Sequence, residues 1–292
     1  MSQTTDILKK VRQIEIRSKG LTDHLFTGQY HSAFKGKGMS FSDVREYQYG
    51  DAIRDIDWNV TARFNHPFIK QYQEEREITV MLLVDISASN LTGSGNRLKQ
   101  DRIAEIAALL SFSAIKSNDK VGVIFFSEKI ELFIPPNKGV QHILFIIRQL
   151  IDFQPSNTTT RIAEALRYLT NIIRKRCVAF LLTDFIDAGY EDALKITSQK
   201  HDLVAIRVYD HTEVDLPNCG MMRFADAESG ETAWIDTGSA SGRERYRMMQ
   251  RERVQQINHA CKRARVDLVE ISTAEDYIRP LLLLFKKRGN RP

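Results

Sequence analysis

Residues 78–90 read Ile78-Thr79-Val80-Met81-Leu82-Leu83-Val84-Asp85-Ile86-Ser87-Ala88-Ser89-Asn90. Apolar side chains fill both odd and even positions from Val80 to Val84. Because successive strand residues point to opposite faces, this predicts a strand covered on both sides. Strands buried that way belong to parallel sheets with helices on each face, so the run marks the centre of an α/β core. At its carboxyl end one carboxylate and two hydroxyls stand on alternate positions, Asp85, Ser87 and Ser89. Strand ends of that kind are where open α/β sheets bind ligands.

Downstream, strand and helix patterns alternate. A helical period spans 97–116, with Ile103, Ile106, Ala107, Leu110 and Ile115 on one side. "VGVIFF" (121–126) and "IELFIP" (130–135) are separated only by Ser127-Glu128-Lys129, too short for a crossover, so they are expected to be antiparallel neighbours. Helical stretches at 140–153 and 161–174, strand "CVAFLLTD" (177–184), a helix from Tyr190, strand "LVAIRVYD" (203–210), a basic helix at 242–265, strand "VDLVEIS" (266–272) and a last helical segment to Leu284 complete the series. One insertion interrupts it near 212–240, where "MMRFADAESGETAWID" reads as a hairpin turning at "AESGE". Upstream, Ile7, Leu8, Val11, Ile14 and Leu21 predict a leading amphipathic helix. From 28 to 77 glycines, aromatics and charges alternate as in short strands and turns. The expected organisation is a helix plus a small β-rich subdomain over 1–77, then a doubly wound, mostly parallel α/β sheet with a hairpin insertion over 78–292.

With 292 residues, 42% hydrophobic and 27% charged, the composition is that of a globular chain with a sizeable core. The longest apolar runs fall well short of the ~20 residues that cross a bilayer, and the N-terminus lacks a secretory pattern, so a cytoplasmic protein without a membrane span is expected. Cys177, Cys219 and Cys261 have neither CxxC nor Cys/His metal spacing and read as reduced thiols. The formal charge of +5 is concentrated in part in the basic helix. Aromatics for base stacking are nearly absent there, so a solvated helix face is expected rather than nucleic-acid binding, which stays an alternative.

Two further segments offer oxygens at compatible sheet ends: Asp184 after the strand at 177–184, and Thr158, Thr159 or Thr160 before the helix at 161–174. Two carboxylates with hydroxyls suit a hard divalent cation, Mg²⁺ or Mn²⁺, that keeps several waters, and they are too few for a closed Ca²⁺ cage. A water position on such an ion is open to an outside carboxylate, which makes the feature a docking point. Taken singly, each residue also reads as a turn former or helix cap, Thr160 as an N-cap before Ile162.

Asp85-x-Ser87-x-Ser89, a threonine before a helix and Asp184 resemble the metal-ion-dependent adhesion site of von Willebrand factor A domains, and the element order resembles that fold over 78–284. The preceding "GMSFSDVREYQYGDAIRDIDWNVTARFNHPFIKQYQEERE" (38–77) and the later "ADAESGETAWIDT" (225–237) resemble the bacterial domain-of-unknown-function fifty-eight family. The resemblance implies metal ligands Asp85, Ser87, Ser89, Thr160 and Asp184. Thr160 is taken because "TRIAEAL" aligns with the family's helix start. It also implies a protein partner, a MoxR-type AAA+ ATPase or that ATPase's client, reached through a carboxylate. Three features depart from the adhesion-site pattern: Asn90 stands where many such sites have Met, Phe185 where animal domains usually have Gly, and "SNTTTRI" (156–162) lacks the glycines often found before the threonine.

Within 45–63, Arg45, Glu46, Asp51, Arg54, Asp55, Asp57 and Arg63 alternate with Tyr47, Tyr49 and Trp58. This predicts a paired network that fixes the small subdomain rather than direct chemistry. A non-catalytic metal-dependent docking module is the expected function, with a metal-dependent hydrolase or phosphotransferase as the alternative. An aspartyl phosphatase would carry a second Asp two residues after Asp85, where this chain has Ser87. The sequence also has no P-loop, G-x-S-x-G or H-E-x-x-H motif.

Overall fold

The computed structural model describes residues 30, 33–34, 40–64, 66–73, 77–91, 98–153, 159–225 and 232–289. The chain divides into two compact units, one of Lys35–Ile78 and one of Met1–Phe34 with Thr79–Pro292. The leading helix expected over Ile7 to Leu21 lies outside the described residues.

In the small unit, β1 (Ser40–Glu46) pairs antiparallel with β2 (Phe68–Gln73). Between them runs a helix, α1 (Trp58–Phe64), where sequence texture pointed to strands and turns. It forms because Asp57 caps it: Asp57 Oδ1 accepts the N–H groups of Asn59 at 3.0 Å and Val60 at 3.2 Å. Arg45 and Asp51 of the charged block form a two-pronged pair at 2.8 Å on each arm. The Gln48 N–H adds a third donor to Asp51 at 2.9 Å, and these donors hold the carboxyl below the usual range, the Arg45 bond contributing most.

The large unit is built on a sheet that, among the described residues, has six strands in the order β10-β7-β6-β3-β4-β5. These are β3 (Thr79–Asp85), β4 (Lys120–Phe126), β5 (Ile130–Asn137), β6 (Val178–Thr183), β7 (Asp202–Tyr209) and β10 (Asp267–Ser272). All neighbours are parallel except β4 and β5. The β5 edge carries two consecutive prolines near its end, Pro135 and Pro136. Helices α2 (Lys99–Lys116), α3 (Val140–Asp152), α4 (Ile162–Ile172), α5 (Glu191–Lys200), α6 (His211–Val214), α7 (Ala240–Ala264) and α8 (Ile278–Gly289) supply the crossovers and flanks. Between β7 and α7, β8 (Met221–Ala225) and β9 (Thr232–Asp236) form the antiparallel ribbon expected of the insertion. Thr237 fastens its base, with backbone N–H and Oγ1 both donating to the Gly220 carbonyl at 2.8 and 2.6 Å.

β3 is buried along Val80–Val84, as its two-sided apolar pattern requires. On one face Met81 and Leu83 pack with Ile162, Leu166 and Leu169 of α4 and Leu194 of α5. On the other, Phe180 meets the Phe34 ring edge-on at 5.6 Å, and Phe285 meets Phe34 at 5.5 Å. Each fully buried Leu or Phe here contributes roughly 1.5–3 kcal/mol. Gly122 in β4 is the tightest point: a Cβ there would lie 2.8 Å from Met81 Sδ, 2.9 Å from the Pro136 nitrogen and 3.0 Å from the Ile134 carbonyl. Backbone cannot yield as a side chain can. Gly122→Ala is therefore expected to cost about 1–3 kcal/mol in urea unfolding, and an unchanged midpoint would contradict this packing.

The chain runs from β3 outward through β4 and β5 on one side and through β6, β7 and β10 on the other. The switch point between these directions falls beside β3, at the carboxyl ends of β3 and β6, where a crevice opens in such sheets. No helix among the described residues is long and apolar enough to cross a membrane.

Candidate metal centre

β3 ends at Asp85, level with Phe126 at the end of β4. The chain then turns because Asp85 Oδ1 accepts the Ser87 N–H at 3.0 Å, and a 3₁₀ turn, Ala88–Leu91, follows. This brings Ser87 Oγ and Ser89 Oγ to 3.0 Å from each other. Asp184, one residue beyond β6, accepts the Ile186 N–H on Oδ1 at 3.1 Å. Thr183 at the end of β6 donates its hydroxyl to Asp85 Oδ2 at 2.6 Å, joining the two strand ends. Asp85, Ser87, Ser89, Thr160 and Asp184 are all buried, none more than 5% exposed.

Thr160 is not the N-cap of α4. Arg161 holds that position without a side-chain bond, and the orphan N–H of Ile162 is taken by Asp187 Oδ2 at 2.7 Å. The Arg161 N–H donates to the Ser127 carbonyl at 2.9 Å, so Thr160 is held beside the end of β4. Thr159 is partly exposed, and Thr158 lies outside the described residues. Phe185, standing in place of a glycine, has φ 62°, in the left-handed region that costs a non-glycine about 1–2 kcal/mol. Its buried ring packs against Tyr190 at 5.6 Å and offsets that cost.

Three observations test the fit to a hard cation. Burial, and after it the charge of nearby Asp184, pushes the Asp85 carboxyl up to about 7 against the bonds from Thr183 and Ser87. A positive ion beside the Asp85 carboxylate relieves both causes. The 3.0 Å hydroxyl spacing matches adjacent corners of an octahedron with metal–oxygen bonds of ~2.0–2.1 Å, for which the corner separation is ~2.9 Å. Finally, Asn90, 1% exposed, leaves Oδ1 without a partner among the described residues. Its amide orientation is fixed because Nδ2 donates to the Asp85 carbonyl at 3.0 Å, which can only accept. An ion's water shell would supply the missing donor. Among the described residues no three His, Cys, Asp or Glu side chains cluster, so the donors available here are two carboxylates and neutral hydroxyls. They fit Mg²⁺ or Mn²⁺, which would be held by Asp85, Ser87, Ser89, Thr160 and Asp184.

One member of this neighbourhood was not foreseen. Lys99, fully buried at the start of α2, donates to Asp184 Oδ2 at 2.8 Å and lies 2.5 Å from Glu213 Oε1. Burial pulls its ammonium down, but Asp184 and Glu213 outweigh burial and hold it above the usual lysine value. A cation at a helix N-terminus opposes the helix dipole, and that misplacement was the only signal in sequence. Glu213 sits in α6, whose capping box is closed by Asp210. Asp210 in turn accepts from Thr273 Oγ1 at 2.7 Å, and Arg102 donates to the Thr273 carbonyl at 2.6 Å. The ends of β6, β7 and β10 are thereby tied to α2.

Among the described residues, a six-stranded sheet doubly wound about a central β3, one antiparallel edge strand and an Asp-x-Ser-x-Ser turn at the switch point define a von Willebrand factor A-like α/β protein. The chain belongs to the family described as protein of unknown function DUF58, whose model matches residues 43–256. The uncharacterized protein Rv1480 of Mycobacterium tuberculosis (strain ATCC 25618 / H37Rv) is 30% identical over 223 residues, covering 75% of this chain and 70% of its own. Among solved structures, the conserved hypothetical protein BatB from Bacteroides thetaiotaomicron shares the fold at a TM-score of 0.50 and 15% identity, over 73% of this chain and 100% of that one. The SpRpn10 VWA domain aligns with a TM-score of 0.39 and 12% identity, over 71% of this chain and 94% of that one.

Proposed function

We propose that the chain is a non-catalytic, cytoplasmic docking protein in which the cradle of Asp85, Ser87, Ser89, Thr160 and Asp184 holds Mg²⁺ or Mn²⁺ and a carboxylate of a protein partner completes the ion's shell. The observation that carries the reading is the juxtaposition at the switch point of two buried carboxylates with paired hydroxyls, together with the neutral Ser87 where a phosphoryl-transfer enzyme would carry its acid. The bound ion would supply electrophilicity. This chain's residues would hold it, with Asn90 Oδ1 free to accept from a bound water and Lys99 holding Asp184. The proposed partner is a MoxR-type AAA+ ATPase or its client, and the proposed task is assembly, maturation or regulation of that client.

The test is capture of a purified MoxR-type ATPase on the immobilised full chain, in Mg²⁺ and in EDTA, beside calorimetric titration with Mg²⁺ alone. Capture and binding heat are expected in wild type with Mg²⁺ and to vanish in EDTA and in Asp85→Ala, whose melt stays cooperative. Equal capture by Asp85→Ala removes the site from the interaction. Mg²⁺-dependent phosphate-ester turnover lost in the same variant would replace docking by the hydrolase alternative.

A further inference from the structure

The sheet is blunted at one edge and open at the other. β10 pairs with β7 on one side, and among the described residues no strand pairs with its other side. A cleft of about 590 Å³ runs there, lined by the consecutive residues 266–270, with α7 as one wall and α8 as the other. Side chains alternate between faces along a strand, so a cleft touching five consecutive residues faces the backbone edge itself. The slot holds apolar contacts in Leu268, Leu283 and Leu284, of which Leu283 is 59% exposed.

Its charge is one-sided. Asp267 and Glu270 also line it, but Asp267 is bound by Arg288 at 2.8 Å and Glu270 by Arg207 at 2.9 Å. Lys262, Arg265 and Lys287 are exposed at the cleft, and among the described residues no ion pair engages them. An exposed strand edge is a template for an added strand. The basic surround admits an acidic strand and repels a second copy of the same edge. We infer that an extended acidic segment of another protein docks here as a further strand beside β10. The site is separate from the metal cradle and independent of it.

The probe is a fluorescein-labelled ten-residue peptide alternating Val and Glu, titrated against the full chain by anisotropy in EDTA and in Mg²⁺. Saturable binding is expected in both, with slowed amide exchange confined to 266–272. A Val/Lys peptide should not bind, and an equally charged peptide with Pro at alternate positions should bind at least tenfold more weakly, because it cannot continue the ladder. The double variant Lys262→Glu, Lys287→Glu changes only exposed positions, so its melt should match wild type while binding falls at least tenfold. Equal binding of the proline peptide, protection elsewhere, or loss of binding in EDTA overturns the inference. The last outcome would assign the acidic peptide to the metal centre. A dimer in sedimentation with the same amides protected overturns it in favour of self-pairing.

Discussion

Lys99→Met is expected to lower unfolding stability by about 3–5 kcal/mol in metal-free buffer, the range found when one partner of a buried ion pair is removed. Methionine fills nearly the same volume, so packing is a minor part of the loss. The larger part is electrostatic: Asp184, with its side chain 1% exposed, is left without its counter-charge beside Asp85. Glu213 is 25% exposed at the side chain and recovers some hydration, which places the expected value toward the lower end. Urea denaturation in EDTA measures the effect, and a loss under about 1 kcal/mol would mean that the pair is solvated. The same variant tests the cradle. With the ammonium gone, Mg²⁺ becomes the available cation for both carboxylates, so adding it should stabilise Lys99→Met more than wild type. Identical Mg²⁺ responses would separate Lys99 from the metal site.

Acid should weaken the fold through His201. The ring is fully buried, and Nδ1 accepts the Cys177 N–H at 3.3 Å, which leaves the proton on Nε2. Protonating Nδ1 would set two donors against each other. Burial, and then the charges of Lys200 and Arg176, lowers this imidazole from 6.5 to about 4. In the unfolded chain the ring takes its proton near 6.5, while the native ring resists until about 4. For this ring the unfolded state therefore binds more protons between those values, so the contribution of His201 to stability falls as pH drops through that window and levels off below it, opposed by Asp85, whose raised carboxyl takes up its proton in the native state over the same range. At 1.36 kcal/mol per unit, the loss amounts to about 3 kcal/mol. His201→Asn keeps an acceptor for Cys177 and cannot titrate, so the difference between its stability and that of wild type should shrink as pH falls from 7 to 4. Parallel pH profiles would exclude His201 as the source.

The core strand and the Asp-x-Ser-x-Ser turn were legible because their logic is local: alternation of faces over Val80–Val84, and oxygens two residues apart. Asp184 was legible by the same rule applied to β6. Lys99 was not, since its partner Asp184 is 85 residues away and only folding places an apparent surface lysine between two carboxylates. Helix α1 was missed because Trp58, Asn59, Val60 and Thr61 are weak helix formers, and the cap from Asp57 outweighed propensity. Taken singly, Thr160 read as a helix cap, and the fold gives that work to Asp187 instead.

Pro135 and Pro136 at the β5 edge bear on how many strands this sheet can accept. Neighbouring residues of a strand point their amides to opposite sides, so one of two adjacent prolines removes an outward donor whichever way the register falls. Head-to-tail stacking of copies needs two mutually compatible edges, and without them a non-closing filament cannot propagate. Among the described residues the β5 edge is thus the poorer acceptor of the two, and a strand added along β10 is expected to end growth rather than propagate it.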